Sequence, residues 1–177
     1  MKKLLFILIL SFSLQLFSQE ANYRQLVAEY LEVNGTTEQY EKAIDGLFDL
    51  LKRQYNDQGV NDATWSSLRE DTAPALGQIK AMLVSAYRGT YEKEDISNML
   101  KFYKSPTGKQ VLFNQTTMTE DQKVKAAQFY NSPTGIKVLD SQQEIAKRVS
   151  EVSEIWSRDL YRSVTDKLAE KGYVLNR

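Results

Sequence analysis

The chain contains no cysteine and no histidine in 177 residues, only three prolines, and no excess of either charge. Without thiol or imidazole, thiol nucleophiles, the common serine and cysteine triads and histidine-ligated metal sites are all excluded. Without cysteine there is no disulfide, and no residue that could take the lipid of a bacterial lipoprotein. The charged residues are scattered, with no lysine-arginine run, which argues against a nucleic-acid partner. Long apolar runs are also missing beyond the amino terminus, so no other stretch reads as a membrane span. Stability has to come from packing.

What is present begins at that terminus. Met1-Lys2-Lys3 is a short positive segment, and Leu4 through Phe17 is apolar apart from Ser11, Ser13 and Gln15. Ser18 is a small residue at a cleavage position, with Gln19 next. This is the layout of a secretory signal peptide over residues 1–18, too short and interrupted for a comfortable membrane anchor. Residues 19–177 are then expected as a single all-helical domain, exported to the periplasm or secreted. That part has 21 basic and 23 acidic residues, a net charge of −2, and is long enough to bury a real core.

Apolar residues recur at helical spacing throughout. Tyr23, Leu26, Val27, Tyr30 and Leu31 form one stripe, stopped by Asn34-Gly35. Thr36 or Thr37 is expected to cap a second helix bearing Ile44, Phe48, Leu51 and Tyr55, and Asp62 or Thr64 to open a short one with Trp65 and Leu68. Pro74 suits the start of a helix that Gly89-Thr90 breaks, and Ile96, Met99, Leu100 and Tyr103 share the next face. Thr119 with Gln122 reads as a capping box. From Pro133 the stripe runs through Ile136, Leu139, Ile145, Val149, Val152, Trp156, Leu160, Val164 and Leu168. This predicts one helix of about 39 residues, about 58 Å long, which bends around the others or packs against a second subunit in a homodimer.

The most specific feature is a repeat. Phe102-Tyr103-Lys104-Ser105-Pro106-Thr107-Gly108 returns 27 positions on as Phe129-Tyr130-Asn131-Ser132-Pro133-Thr134-Gly135. Each copy reads as a corner between helices. Ser105 or Ser132 caps the second helix, and Pro106 or Pro133 occupies its first position, where no N–H is needed. Gly108 and Gly135 would let another backbone come close. Lys109 and Lys137 follow, but out of register, so the reading as structural corners is preferred to an anion-binding ledge. Neighbouring positions on a helix face different ways. One ring of each pair, Phe102 with Tyr103 and Phe129 with Tyr130, should therefore meet the core, while the other covers a partner helix, a groove or a second protein.

The chain resembles the bacterial domain of unknown function 2059 family. The resemblance rests on Tyr87-Arg88-Gly89-Thr90-Tyr91-Glu92-Lys93-Glu94-Asp95-Ile96, on Leu100 through Lys109, on the second Phe-Tyr-Asn-Ser-Pro-Thr-Gly copy, and on the helix bearing Trp156. Tyr30 through Thr36 also looks like that family's opening. The resemblance implies a small, exported, helical protein, and it carries over no catalytic residues, metal or cofactor.

For function, the remaining catalytic chemistry is that of carboxylates, lysines, tyrosines and serines. The acids in Glu92-Lys93-Glu94-Asp95 could supply a pair for glycosidic-bond cleavage, but they start a helix, where acids favour the dipole and stay solvated. A non-enzymatic binding or protein-interaction module of the bacterial envelope is favoured instead, drawing on ten tyrosines and two tryptophans. The alternative is a carrier holding a small apolar ligand between helices, in a void lined by Met82, Met99, Leu100 or Trp156.

Overall fold

The computed structural model describes residues 19–175; the expected leader and its cleavage point lie outside the described residues. Among the described residues the regular elements are helices, with no strand. None of these helices is long and apolar enough to cross a membrane. The chain forms two compact units. One comprises residues 19–34 and Tyr91–Leu139; the other comprises Gly35–Thr90 and residues 140–175.

In the first unit, helix α1 (19–33) buries Tyr23, Val27, Tyr30 and Leu31. The Tyr23 hydroxyl donates to the Tyr91 carbonyl at 3.0 Å, and the Tyr30 ring meets Tyr103 at 5.9 Å. The helix ends before Gly35, whose φ of 80° is open to glycine without strain. The other helices of this unit are α5 (Lys93–Lys104), α6 (Pro106–Phe113), α7 (Glu120–Tyr130) and α8 (Pro133–Asp140). Ile96, Met99, Leu100 and Tyr103 of α5 are all buried, as the helical spacing predicts. The Thr119–Gln122 capping box is formed in both directions, at 3.2 and 2.9 Å.

The second unit holds α2 (Thr36–Gln54), α3 (Asp62–Asp71), α4 (Ala73–Arg88) and α9 (Gln142–Glu170). Trp65 of α3 packs edge-on against Phe48 and Tyr55, each with ring centroids 6.4 Å away. The long α9 lies along α4 and buries Trp156, Leu160, Val164 and Leu168. Trp156 donates its indole N–H to the Ala75 carbonyl at 2.9 Å and meets the edge of Tyr40 at 5.3 Å.

Three details differ from the sequence expectation. The cap of α2 is Gly35, with Thr36 and Thr37 already inside the helix. The cap of α3 is Asn61, whose side-chain oxygen accepts from the Thr64 N–H at 2.8 Å. The 39-residue helix is two helices. The backbone leaves the helix at Ser141, at φ −91° and ψ 0°, so α9 has 29 residues and is about 43 Å long. Asp140 and Ser141 are weak helix formers that compete for backbone hydrogen bonds. The stripe nevertheless reads straight through them, because apolar residues flank the break on both sides. Ile136 and Leu139 accordingly leave the inward face and are about half exposed.

Candidate functional site

Within the first unit the two Ser-Pro segments are built alike. Ser105 is extended, at φ −69° and ψ 158°, and its hydroxyl accepts from the Gly108 N–H at 3.0 Å while donating to the Phe102 carbonyl at 2.6 Å. Ser132 repeats both bonds, at 3.1 Å from Gly135 and 2.6 Å to Phe129. The glycines let each second helix fold back onto the last turn of the first. A Cβ at Gly108 would lie 2.0 Å from the Phe102 carbonyl oxygen, and one at Gly135 would lie 2.0 Å from that of Phe129. Backbone, not a movable side chain, fills the space.

The repeat also brings the corners face to face. Phe102 and Phe129 stack with ring centroids 3.9 Å apart and planes 3° from parallel. The cross pairs match: Phe102 meets Tyr130 at 5.9 Å, and Tyr103 meets Phe129 at 6.0 Å. The Tyr103 and Tyr130 hydroxyls are 3.4 Å apart. Each ring of one Phe-Tyr pair meets its counterpart's neighbour reciprocally, the pattern of a two-fold interface, here inside one chain. Tyr103 is buried among these rings, and burial above all, followed by the Tyr130 hydroxyl, pushes its hydroxyl pKa well above the usual value. The second ring of each pair therefore covers the other copy.

The lysines diverge. Lys109 is exposed on α6, whereas Lys137 pairs with Asp95. Asp95 contradicts the expectation that the acids of this helix start stay in water, for it is 8% exposed. One carboxylate oxygen accepts from the Glu92 backbone N–H at 3.0 Å and from Lys137; the other accepts from the Thr134 hydroxyl at 3.2 Å. Asn98 donates to the same hydroxyl at 3.1 Å. The second corner is thus fastened to the start of α5. Burial pulls the Asp95 pKa upward, but the hydrogen bonds from Lys137 and Glu92, the Lys137 charge and the Thr134 hydroxyl together hold it below the usual carboxylate range. The Lys137 pKa is raised, chiefly by its hydrogen bond to Asp95. A carboxylate with its lone pairs so committed and its pKa lowered is poorly suited to act as a general acid. Sequence reasoning missed this cluster; its one trace was the register break between Lys109 and Lys137.

Asp95 carries a pH prediction. Its folded pKa lies below the unfolded value of about 3.9, so its stabilisation is present above about pH 4 and is lost as pH falls through the lower folded pKa. At pH 7, Asp95→Ala should cost about 2–3 kcal/mol, because three donors lose their acceptor. Urea midpoints of variant and parent should draw together as the pH falls below about 4, and a pH-independent gap would refute the assignment.

Between the corners lies a cleft of about 720 Å³. Phe102, Ser105, Phe129 and Ser132, two from each copy of the repeat, line it together with Glu94 and Lys101. The apolar void considered for a carrier takes a different form. Met99 and Leu100 are buried, at 1% and 6% exposure, whereas Met82 and Trp156 line a surface cleft of about 540 Å³ beside Asp71, Gln78 and Asp159.

The profile of a family described as uncharacterised proteins conserved in bacteria, domain of unknown function 2059, matches residues 77–120 and 115–162. The chain belongs to this family. The first match contains the Phe102–Gly108 copy and the second the Phe129–Gly135 copy, so the family's sequence signal covers both corners and the cleft they share. No curated protein matches the chain, and no solved structure does. Membership brings no assigned activity.

Proposed function

We propose that this protein is an exported, non-enzymatic binding module of the bacterial envelope, and that its ligand lies in the cleft between the two Ser-Pro corners. The observation that carries this reading is the lining of that cleft. Two copies of one motif converge on it, and Glu94 and Lys101 reach it without an ion pair or hydrogen bond among the described residues. Packing explains the stacked rings and the glycines, and Glu94 in the first turn and Lys101 in the last turn of α5 complement its dipole, yet both charges also line the cleft, where a ligand can reach them. The leader-like amino terminus supports export. A carrier of small apolar ligands fits less well, since the clefts of both units mix charged and apolar walls.

The test is native mass spectrometry on protein recovered gently from the envelope fraction of its own host. The expected species starts at Gln19 and carries a bound partner that Lys101→Glu removes, a change at an exposed position that should not perturb folding. Recovery of the uncleaved chain from the cytoplasm would overturn the export reading. An identical bound mass in Lys101→Glu would overturn the site.

A further inference from the structure

The shape of the cleft identifies a class of ligand, an inference that rests on the binding reading above. Its α5 wall presents Glu94, Asn98, Lys101, Phe102 and Ser105, a single helical face spanning about 16 Å. Its α7 wall presents Lys125, Gln128, Phe129 and Ser132. A second cleft of about 520 Å³ shares Phe102, Ser105 and Lys125 and continues to Thr119 and Gln122 at the start of α7. The two together form a trough along the seam of α5 and α7. From Thr119 to Ser132 it follows about 20 Å of helix, enough for about six residues of extended chain at about 3.3 Å each. A trough of this length suits a polymer better than a compact metabolite.

The geometry points to an extended peptide segment bearing one basic and one acidic side chain about three residues apart, with an apolar residue between them. The charge pattern carries the spacing. Lys125 is neutralised by Asp121 at 2.6 Å, which leaves Glu94 and Lys101 as the charges of the larger cleft that have no ion pair among the described residues. They are seven positions apart on one face of α5, hence about 10 Å along the helix. This matches residues i and i+3 of a polyproline-II-like strand, about 9 Å apart and on one side of it, whereas a flat β-strand would turn them to opposite sides. Between them the edges of Phe102 and Phe129 offer an apolar floor. Asn98 spends its N–H on Thr134, so its carbonyl oxygen is available to a peptide N–H, and exposed Gln128 opposite offers both a donor and an acceptor. A saccharide strand fits the floor less well. Sugars bind aromatic rings through open faces, and here Phe102 and Phe129 turn one face each into their own stack.

The probes are fluorescein-labelled hexapeptides carrying Leu-Phe flanked by Lys and Asp in either order, their Lys/Lys and Asp/Asp counterparts, and a chitin-type oligosaccharide. They are titrated against the protein with its side-chain amides followed by NMR. The expected result is at least tenfold tighter binding of a mixed-charge hexapeptide than of either like-charge one, with the Asn98 and Gln128 amides shifting. Lys101→Glu should move the preference to the Lys/Lys peptide, and Glu94→Lys should move it to the Asp/Asp peptide. Preferences unchanged in both variants would overturn the proposal. Amide shifts with the oligosaccharide but with no peptide would also overturn it, while leaving the binding site standing. Silence of these amides toward every probe, combined with a bound mass from the host that Lys101→Glu fails to remove, would sink the site itself.

Discussion

Gly135→Ala is expected to destabilise the protein by about 3 kcal/mol or more, and Gly108→Ala by a similar amount. The reason is the same at both corners. The new methyl would lie 2.0 Å from a carbonyl oxygen and 2.5 Å from a Cα of the preceding helix, and no rotamer change can relieve contact with backbone. The Ser-Pro corner would have to open, which would pull the Phe102–Phe129 stack apart. The same substitution elsewhere should have the opposite sign. Gly46 and Gly77 lie within α2 and α4, and a Cβ at either meets nothing within 4 Å. Gly46→Ala or Gly77→Ala should therefore raise stability by up to about 1 kcal/mol through helix propensity. Urea unfolding followed by far-ultraviolet circular dichroism measures all four variants. Equal effects at Gly77 and Gly135 would mean that the close approach of the helices is not what the corner glycines are for.

Trp156→Ala is expected to cost about 3–5 kcal/mol, within the range for emptying a buried aromatic site. Trp156 is 5% exposed on the inner face of α9, and three elements depend on it: the Ala75 carbonyl at the start of α4, the ring of Tyr40 on α2, and α9 itself. Removing the indole also deletes a second donor to the Ala75 carbonyl, which sits in the first turn of α4. Trp156→Phe should recover most of the packing and lose about 1 kcal/mol for the hydrogen bond. Trp65 and Trp156 are the chain's two tryptophans and both lie in the second unit, so fluorescence of Trp65 in the variant follows that unit specifically. A cost of less than 1 kcal/mol for Trp156→Ala would show that α9 is held on α4 by its carboxyl-terminal residues alone.

These two predictions also separate what could be read in the chain from what could not. The corners were legible because their chemistry is local. A serine cap, a proline at the first helical position and a glycine three residues after the serine interact within one turn, so their spacing is enough. The buried faces of α5 and α9 were legible for a similar reason, because periodicity reports which residues turn inward without naming what they meet. The break at Ser141 was hidden by that same periodicity, since one non-helical residue leaves apolar residues on both sides. Asp95 was misread because acids at a helix start are usually solvated. Its burial depends on Thr134 and Lys137, 39 and 42 positions away.

The sequence by itself determined that this is a helical chain without thiol or imidazole chemistry, and that it turns twice through the same Ser-Pro corner. Helical period and caps act over three or four residues, and composition needs no fold at all. Only the tertiary structure decided that the corners face one another, that Phe102 lies flat on Phe129, that among the described residues Lys137 and not Lys109 finds a carboxylate, and that Glu94 and Lys101 line one cleft with no ion pair among the described residues. Those pairings join residues far apart in the chain, and packing selects them among many arrangements that share the same local pattern.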